Sequence, residues 1–266
     1  MSMWWRYLLL TLQIGCVALL TACGQSEPMR NVRLEQAADH SHRAQRAFER
    51  GDYLTAMKRY EAAFELDVAL ENEEGIAIDA LNLARVNQML GRTEQAHAYL
   101  DGLLQDRAIR YADKYLAVAA LRKSLLMLEQ GDTKVVAAWL DKAVVWCGKD
   151  CAVEGAIDNV RAALALREGD AVRAAQWAER AMSETKDSSS LEYANALRYL
   201  AEARLMSGEH AVAARVADEV LALDKAMGAP EKIKLDLLLN ARVHAGMGDT
   251  DEAARFNERA SRIRTR

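Results

Sequence analysis

The chain has 266 residues, room for one large domain or two small ones, and a formal net charge of −4. That balance excludes the basic excess of a general nucleic-acid binder, so no nucleic-acid partner is expected. Hydrophobic residues make up 51% of the chain and only 2 prolines and 14 glycines interrupt them, which favours a sizeable core built of helices rather than strands. In chain order the first element is a leader. Arg6 precedes an apolar run from Tyr7 to Leu20, short for a membrane span and typical of a secretory signal-peptide core.

The run ends in Leu20-Thr21-Ala22-Cys23, an aliphatic residue and two small residues before a cysteine, and this resembles the lipobox of bacterial lipoproteins. The resemblance implies cleavage before Cys23, which then carries a diacylglyceryl group as the mature N-terminus. Cys16 is the poorer candidate, because Gln13 stands where an aliphatic residue is wanted. Acyl chains would hold the protein on the membrane at roughly 0.8 kcal/mol per buried methylene. Gly24 follows the cysteine, not the Asp that favours inner-membrane retention, so the expected location is the periplasmic face of the outer membrane. The partition is therefore 1–22 signal peptide, 23–33 lipidated N-terminus and short linker, and 34–266 folded body. Fully extended, the linker reaches roughly 35 Å, which keeps the body near the lipid surface.

The body is periodic. Gly51, Gly91, Gly131, Gly169, Gly208 and Gly248 follow one another at intervals of 38 to 40 residues, the mark of a repeat architecture. Seven residues before each stand Ala44, Ala84, Ser124, Ala162, Ala201 and Ala241. Five after each stand Ala56, Ala96, Val136, Ala174, Ala213 and Ala253, and twelve after each Ala63, Leu103, Ala143, Ala181, Val220 and Ala260. Small or apolar columns locked to one glycine register describe a helix–turn–helix hairpin. The glycine ends the first helix in a left-handed conformation. Asp52, Asp132, Asp170 and Asp249, with Thr93, Thr133 and Thr250 nearby, are the expected caps of the second. The fold class is all-α: a solenoid of about six hairpins, each burying its apolar face against its neighbours.

Gly51-Asp52-Tyr53-Leu54-Thr55-Ala56, then Tyr60 and Ala63-Phe64-Glu65-Leu66-Asp67, resembles the tetratricopeptide repeat (TPR). Leu90 to Ala96 and Met247 to Ala253 echo it. The period near 40 is similar to the longer-helix variant of scaffolds such as kinesin light chain, and the resemblance spans about residues 34–264. Two features depart from the pattern. The proline between repeats is missing except near Pro230. The leucine eight residues before the glycine is kept at Leu83 and Leu200 but replaced by Arg43, Lys123, Arg161 and Asn240. The resemblance implies that the first helix of each pair lines a groove. Inward candidates are Gln45, Leu81, Asn82, Arg85, Gln88, Leu121, Leu125, Asn159, Arg198, Glu202, Leu238 and Arg242. Asn82 stands where long-helix repeats place a backbone-binding Asn, whose amide both donates and accepts.

Cys147 and Cys151 fall at the junction of the third and fourth pairs. Outside the cytoplasm such a pair is expected to form a disulfide that staples neighbouring repeats, with free thiols or a redox or metal role as alternatives. His40, His42, His97, His210 and His244 are scattered, and no phosphate loop, nucleophile elbow or catalytic triad spacing is present, so no cofactor, metal or catalytic residue is expected. Trp139, Trp146 and Trp177 read as packing residues in the third and fourth pairs, or else as anchors for a partner. The function expected is a membrane-anchored scaffold of the cell envelope that binds a protein or peptide. The alternatives are a self-associating architectural lipoprotein and an enzyme on a helical-repeat frame.

Overall fold

A computed structural model describes residues 31–149, 151–185 and 187–264; the leader, Cys23 and the segment up to Arg30 lie outside the described residues. Among the described residues are twelve α-helices and no strand. They are α1 (Val32–Glu49), α2 (Tyr53–Ala69), α3 (Glu73–Met89), α4 (Thr93–Gln105), α5 (Asp113–Glu129) and α6 (Thr133–Cys147). These are followed by α7 (Glu154–Arg167), α8 (Ala171–Glu184), α9 (Leu191–Met206), α10 (His210–Met227), α11 (Pro230–Gly246) and α12 (Thr250–Ser261). They pair in chain order into six hairpins, α1/α2 through α11/α12, and no described helix is long and apolar enough to cross a membrane.

The turn inside each hairpin is the same. At the first, Gly51 has φ 76°, its N–H donates to Phe48 O at 2.9 Å, and the Asp52 N–H donates to Ala47 O at 2.9 Å. That pattern satisfies two carbonyls at the helix end and requires a backbone conformation that a β-carbon disfavours. The long bond recurs from Arg92, Asp132, Asp170, Glu209 and Asp249, which is why the glycine is periodic. Asp52, Asp170 and Asp249 cap the following helix by accepting from the N–H three residues on. Asp132 makes no such bond, and Thr93, Thr133 and Thr250 are first residues of their helices rather than caps.

The small columns are the seam. The alanines and the serine seven residues before the glycines are at most 3% exposed, and the two columns that follow the glycines at most 6%. Methyl-sized side chains there let the two helices of a pair approach closely. Larger residues fill the spaces between pairs: Tyr60, Leu83 and Val86 near the start, Leu140, Ile157 and Val160 in the middle, Leu237 and Phe256 at the end. Each contributes roughly 1.5–3 kcal/mol when fully buried. Every first helix touches the first helix of the next pair, whereas no two successive second helices are in contact among the described residues. The array therefore curves with α1, α3, α5, α7, α9 and α11 on its inner side.

The polar substitutions in the leucine column are held by specific partners. Lys123, 6% exposed, pairs with Asp101 and lies 5.1 Å from the Trp139 ring centroid. Arg161 pairs with Asp158 and packs over Trp177 at 4.5 Å. Asn240 is fully buried and donates to Ala217 O and Asp236 O, each at 3.2 Å. Arg43 stays exposed with Asp39 on its own helix. Trp139 and Trp177 are half-buried beneath cationic side chains. At the third junction α6 ends in Cys147, whose sulfur is bonded to that of Cys151 with the Cα atoms 5.2 Å apart. The bridge closes the Gly148 corner between α6 and α7.

Buried carboxylates mark two junctions and the inside of one pair. Between the first two pairs, Asp67 and Asp79 are 4% and 1% exposed. Asn72 donates to Asp67 at 2.8 Å and the Ser41 hydroxyl donates to Asp79 at 2.6 Å. A β-carbon on Gly75 would strike the Asp67 carboxylate, so glycine is what admits that side chain. Between the last two pairs, in the same register, Asp224 and Asp236 are fully buried around Arg198, whose Nε donates to Asp236 at 2.6 Å while its Nη2 pairs with Asp224. Arg198 occupies the position of Ser41, ten residues before the glycine. Inside the fourth pair Asp158, 1% exposed, is flanked by Arg161 at 3.3 Å and Arg180 at 3.0 Å.

Candidate binding groove

The inner face is built from one side of each first helix, so positions three, four and seven apart fall on it together. On α1, Gln45 is exposed; it accepts from the Tyr60 hydroxyl at 2.9 Å and donates to Glu49 at 2.8 Å. On α3, Asn82 is half-buried and bonds to no described residue. Arg85 lays its guanidinium 4.2 Å from the Phe48 ring centroid, and Gln88 donates to both oxygens of Glu129 at 2.9 Å. On α9 and α11, Glu202 accepts from Arg242 at 2.8 Å, and Leu238 is 39% exposed. Leu125 is half-buried on α5. These residues share the concave side.

Others expected there do not present themselves. Asn159 is 5% exposed and donates to Glu192 O at 2.9 Å, tying α7 to the first turn of α9. Arg198 is 6% exposed and is consumed by Asp224, Asp236 and Asn195. Leu81 and Leu121 are 7% and 5% exposed and belong to the core. In the third and fifth pairs the residue one position later turns toward the groove instead: Arg122 and Tyr199, the counterparts of Asn82 in the glycine register. A one-residue step rotates a side chain by about 100° around the helix, enough to move it from the seam to the face.

Two stretches of the groove differ in character. Toward the C-terminal end a cavity of about 540 Å³ is lined by Asn195, Tyr199, Glu202, Lys232, Leu235 and Leu238, with Arg242 at its rim. Burial pushes the Lys232 ammonium below its ordinary value, helped by Arg198, and pushes the Tyr199 phenol up. Toward the N-terminal end Arg122 is partly buried, with its Nε shut off from solvent and no hydrogen-bond partner. Burial, then the charge of Arg85, lowers it to about 10, so it remains a cation at neutral pH. Burial likewise raises the Tyr60 phenol beside it to about 12. A separate opening of about 780 Å³ lies by the loop between α4 and α5, lined by residues that include Asp106, Arg110, Tyr111 and Trp146. Among the described residues no cluster of three or more His, Cys, Asp or Glu side chains could hold a metal ion.

No protein-family model matches the chain, and no curated protein matches it either. Solved structures do. Pseudomonas aeruginosa pilF superposes with a TM-score of 0.59 at 17% identity, covering 88% of this chain and 94% of its own. Nearly identical TPR-like repeats assigned to a kinesin light chain of Podosopora anserina superpose at 0.55 and 16% identity, over 75% of this chain and 99% of theirs. BtubC (BKLC) from P. vanneervenii gives 0.55 at 16% identity, over 88% and 91%. At these identities the likeness concerns the fold, which is the TPR-like helical solenoid.

Proposed function

We propose that this chain is a lipid-anchored adaptor of a bacterial envelope, on the periplasmic face of the outer membrane, whose concave face holds a segment of another protein and performs no chemistry on it. The observation that carries the reading is the groove itself. It runs along six first helices and offers side chains with bonding capacity left over, Asn82 and Arg122 foremost. Helical-repeat arrays spend their curvature on extended surfaces of this kind. A backbone laid along α3 would meet the Asn82 amide as both donor and acceptor. Leu235 and Leu238, 49% and 39% exposed beside the C-terminal cavity, would receive apolar side chains of the same segment. The anchor rests on Leu20-Thr21-Ala22-Cys23.

Two experiments test the two halves. A photo-crosslinking amino acid placed at Asn82 or Leu238 in cells should capture a defined protein, while the same group at Glu219, exposed on α10, should not. Equal capture from both faces, or none from the groove under any growth condition, would refute adaptor binding in the groove. Intact mass of the membrane-extracted chain should show processing before Cys23 and added acyl mass; an unmodified N-terminal cysteine would remove the anchor.

A further inference from the structure

Among the described residues the arginines that are buried or half-buried have polar partners, with one exception. Arg198 has Asp224 and Asp236, Arg161 has Asp158 and Asp141, and Arg204 has Glu179 and Glu209. The exception is Arg122; its neighbour Arg85 is exposed and lies over the Phe48 ring. Neither forms an ion pair among the described residues. The charge that acts on Arg122 most, after burial, is that of Arg85, and the next is the Tyr60 phenol, neutral at ordinary pH. The carboxylates on the adjoining turns are held by amides instead: Glu49 by Gln45 and Glu129 by Gln88. Two like charges thus repel each other, one with its Nε out of water and unbonded. Removing a cation from water without a counter-charge is costly, and such an arrangement is stable once an anion sits between the two.

The surroundings select the anion. Ile78, 39% exposed, lies two turns from Arg85 on the same face of α3, and Val118 and Leu125 flank Arg122 on α5. Asn82 stands one turn from Arg85. We infer that Arg85 and Arg122 together anchor an Asp or Glu side chain of the partner's extended segment, flanked in that segment by apolar residues that rest on Ile78, Val118 and Leu125. Two guanidinium groups converging on one carboxylate give charge-assisted, geometrically selective hydrogen bonds. Asn82 takes the adjoining peptide group. This assignment rests on the groove being the binding face, and it adds the chemistry that the groove reads.

Selection of short random peptides displayed on phage against the full chain in detergent, followed by fluorescence anisotropy with the best labelled peptide, tests it. Selected peptides should carry an acidic residue beside apolar ones. Arg85→Gln and Arg122→Gln should each weaken that peptide by about tenfold or more. Replacing the peptide's Glu by Gln should cost as much against the native chain and almost nothing further against the double variant. Arg122→Gln should leave the melting temperature unchanged or raise it, because it removes an uncompensated charge. Peptides that bind without an acidic residue, or whose affinity ignores both substitutions, would overturn the anchor while leaving the groove as the binding face. If no peptide binds and Asn82 crosslinks nothing, both readings fall. A large drop in melting temperature for Arg122→Gln with affinity intact would make Arg122 structural and end the proposal.

Discussion

Asp79→Asn isolates the junction between the first two pairs. Asp79 is 1% exposed; burial first, and the neighbouring Asp67 carboxylate next among the raising influences, push it from 3.8 up to about 7, against the opposing Ser41 hydrogen bond. The folded chain therefore holds a proton that the unfolded chain releases near pH 4. Stability from this group is fully present below that point and is lost as pH rises through about 7. The gap of about 3 units corresponds to about 4 kcal/mol at most between acid and neutral pH. Asparagine keeps the shape and cannot ionise. The variant should match the native chain near pH 5 and exceed it by a few kcal/mol near pH 8. Urea or thermal unfolding of both chains across that range, followed by helical circular dichroism, gives the difference, in which the other titrating groups cancel. A difference of the same size at pH 5 and pH 8 would refute the reasoning and mean that Asp79 titrates alike in the folded and unfolded chains.

At the junction between the last two pairs the informative change removes a cation. Arg198→Met leaves Asp224 and Asp236, both fully buried, without their cation and should cost about 3–5 kcal/mol at neutral pH, visible as a lower urea midpoint. Gly131→Ala introduces a β-carbon at φ 83° with nothing within 4 Å, so only backbone strain opposes it. The loss should be about 1–2 kcal/mol, and a drop larger than that in the melting curve would point to a clash. Replacing both Cys147 and Cys151 by serine opens a loop of sequence separation 4 and should lower stability by about 2 kcal/mol. Reduction of the native chain should produce the same shift in melting temperature.

The repeat and its seam were legible because they rest on requirements that a sequence states directly. A turn that demands positive φ selects glycine, and a close helix approach selects alanine. Ala44 to Ala241 could therefore be placed in the core without coordinates. The inner face was less legible, because its side chains are chosen by helix rotation, which packing against the neighbours decides. Hence Leu121 and Arg198 were expected on the groove where the structure presents Arg122 and Tyr199. Their common register with Asn82 was the available signal. The buried aspartates escaped altogether, since an isolated Asp67 or Asp236 in a helix reads as a solvated residue. Only the pairing of Asp67 with Asp224, and of Asp79 with Asp236, at matching distances from Gly51 and Gly208, or Gly91 and Gly248, distinguishes them. The cap expected at Asp132 is not made by its side chain, although Asp132 does stand at the N-cap position of α6.

Because successive inner helices touch while successive outer helices do not, the molecule resists bending about its two sides unequally. Opening the arc must separate α1, α3, α5, α7, α9 and α11 from one another, whereas no contact between successive second helices opposes it, only the packing of each against the first helix of the next pair. Small rotations at each junction add from one end to the other. With α3 held, α11 would in this way move further than the helices beside α3, a consequence of the stacking order alone.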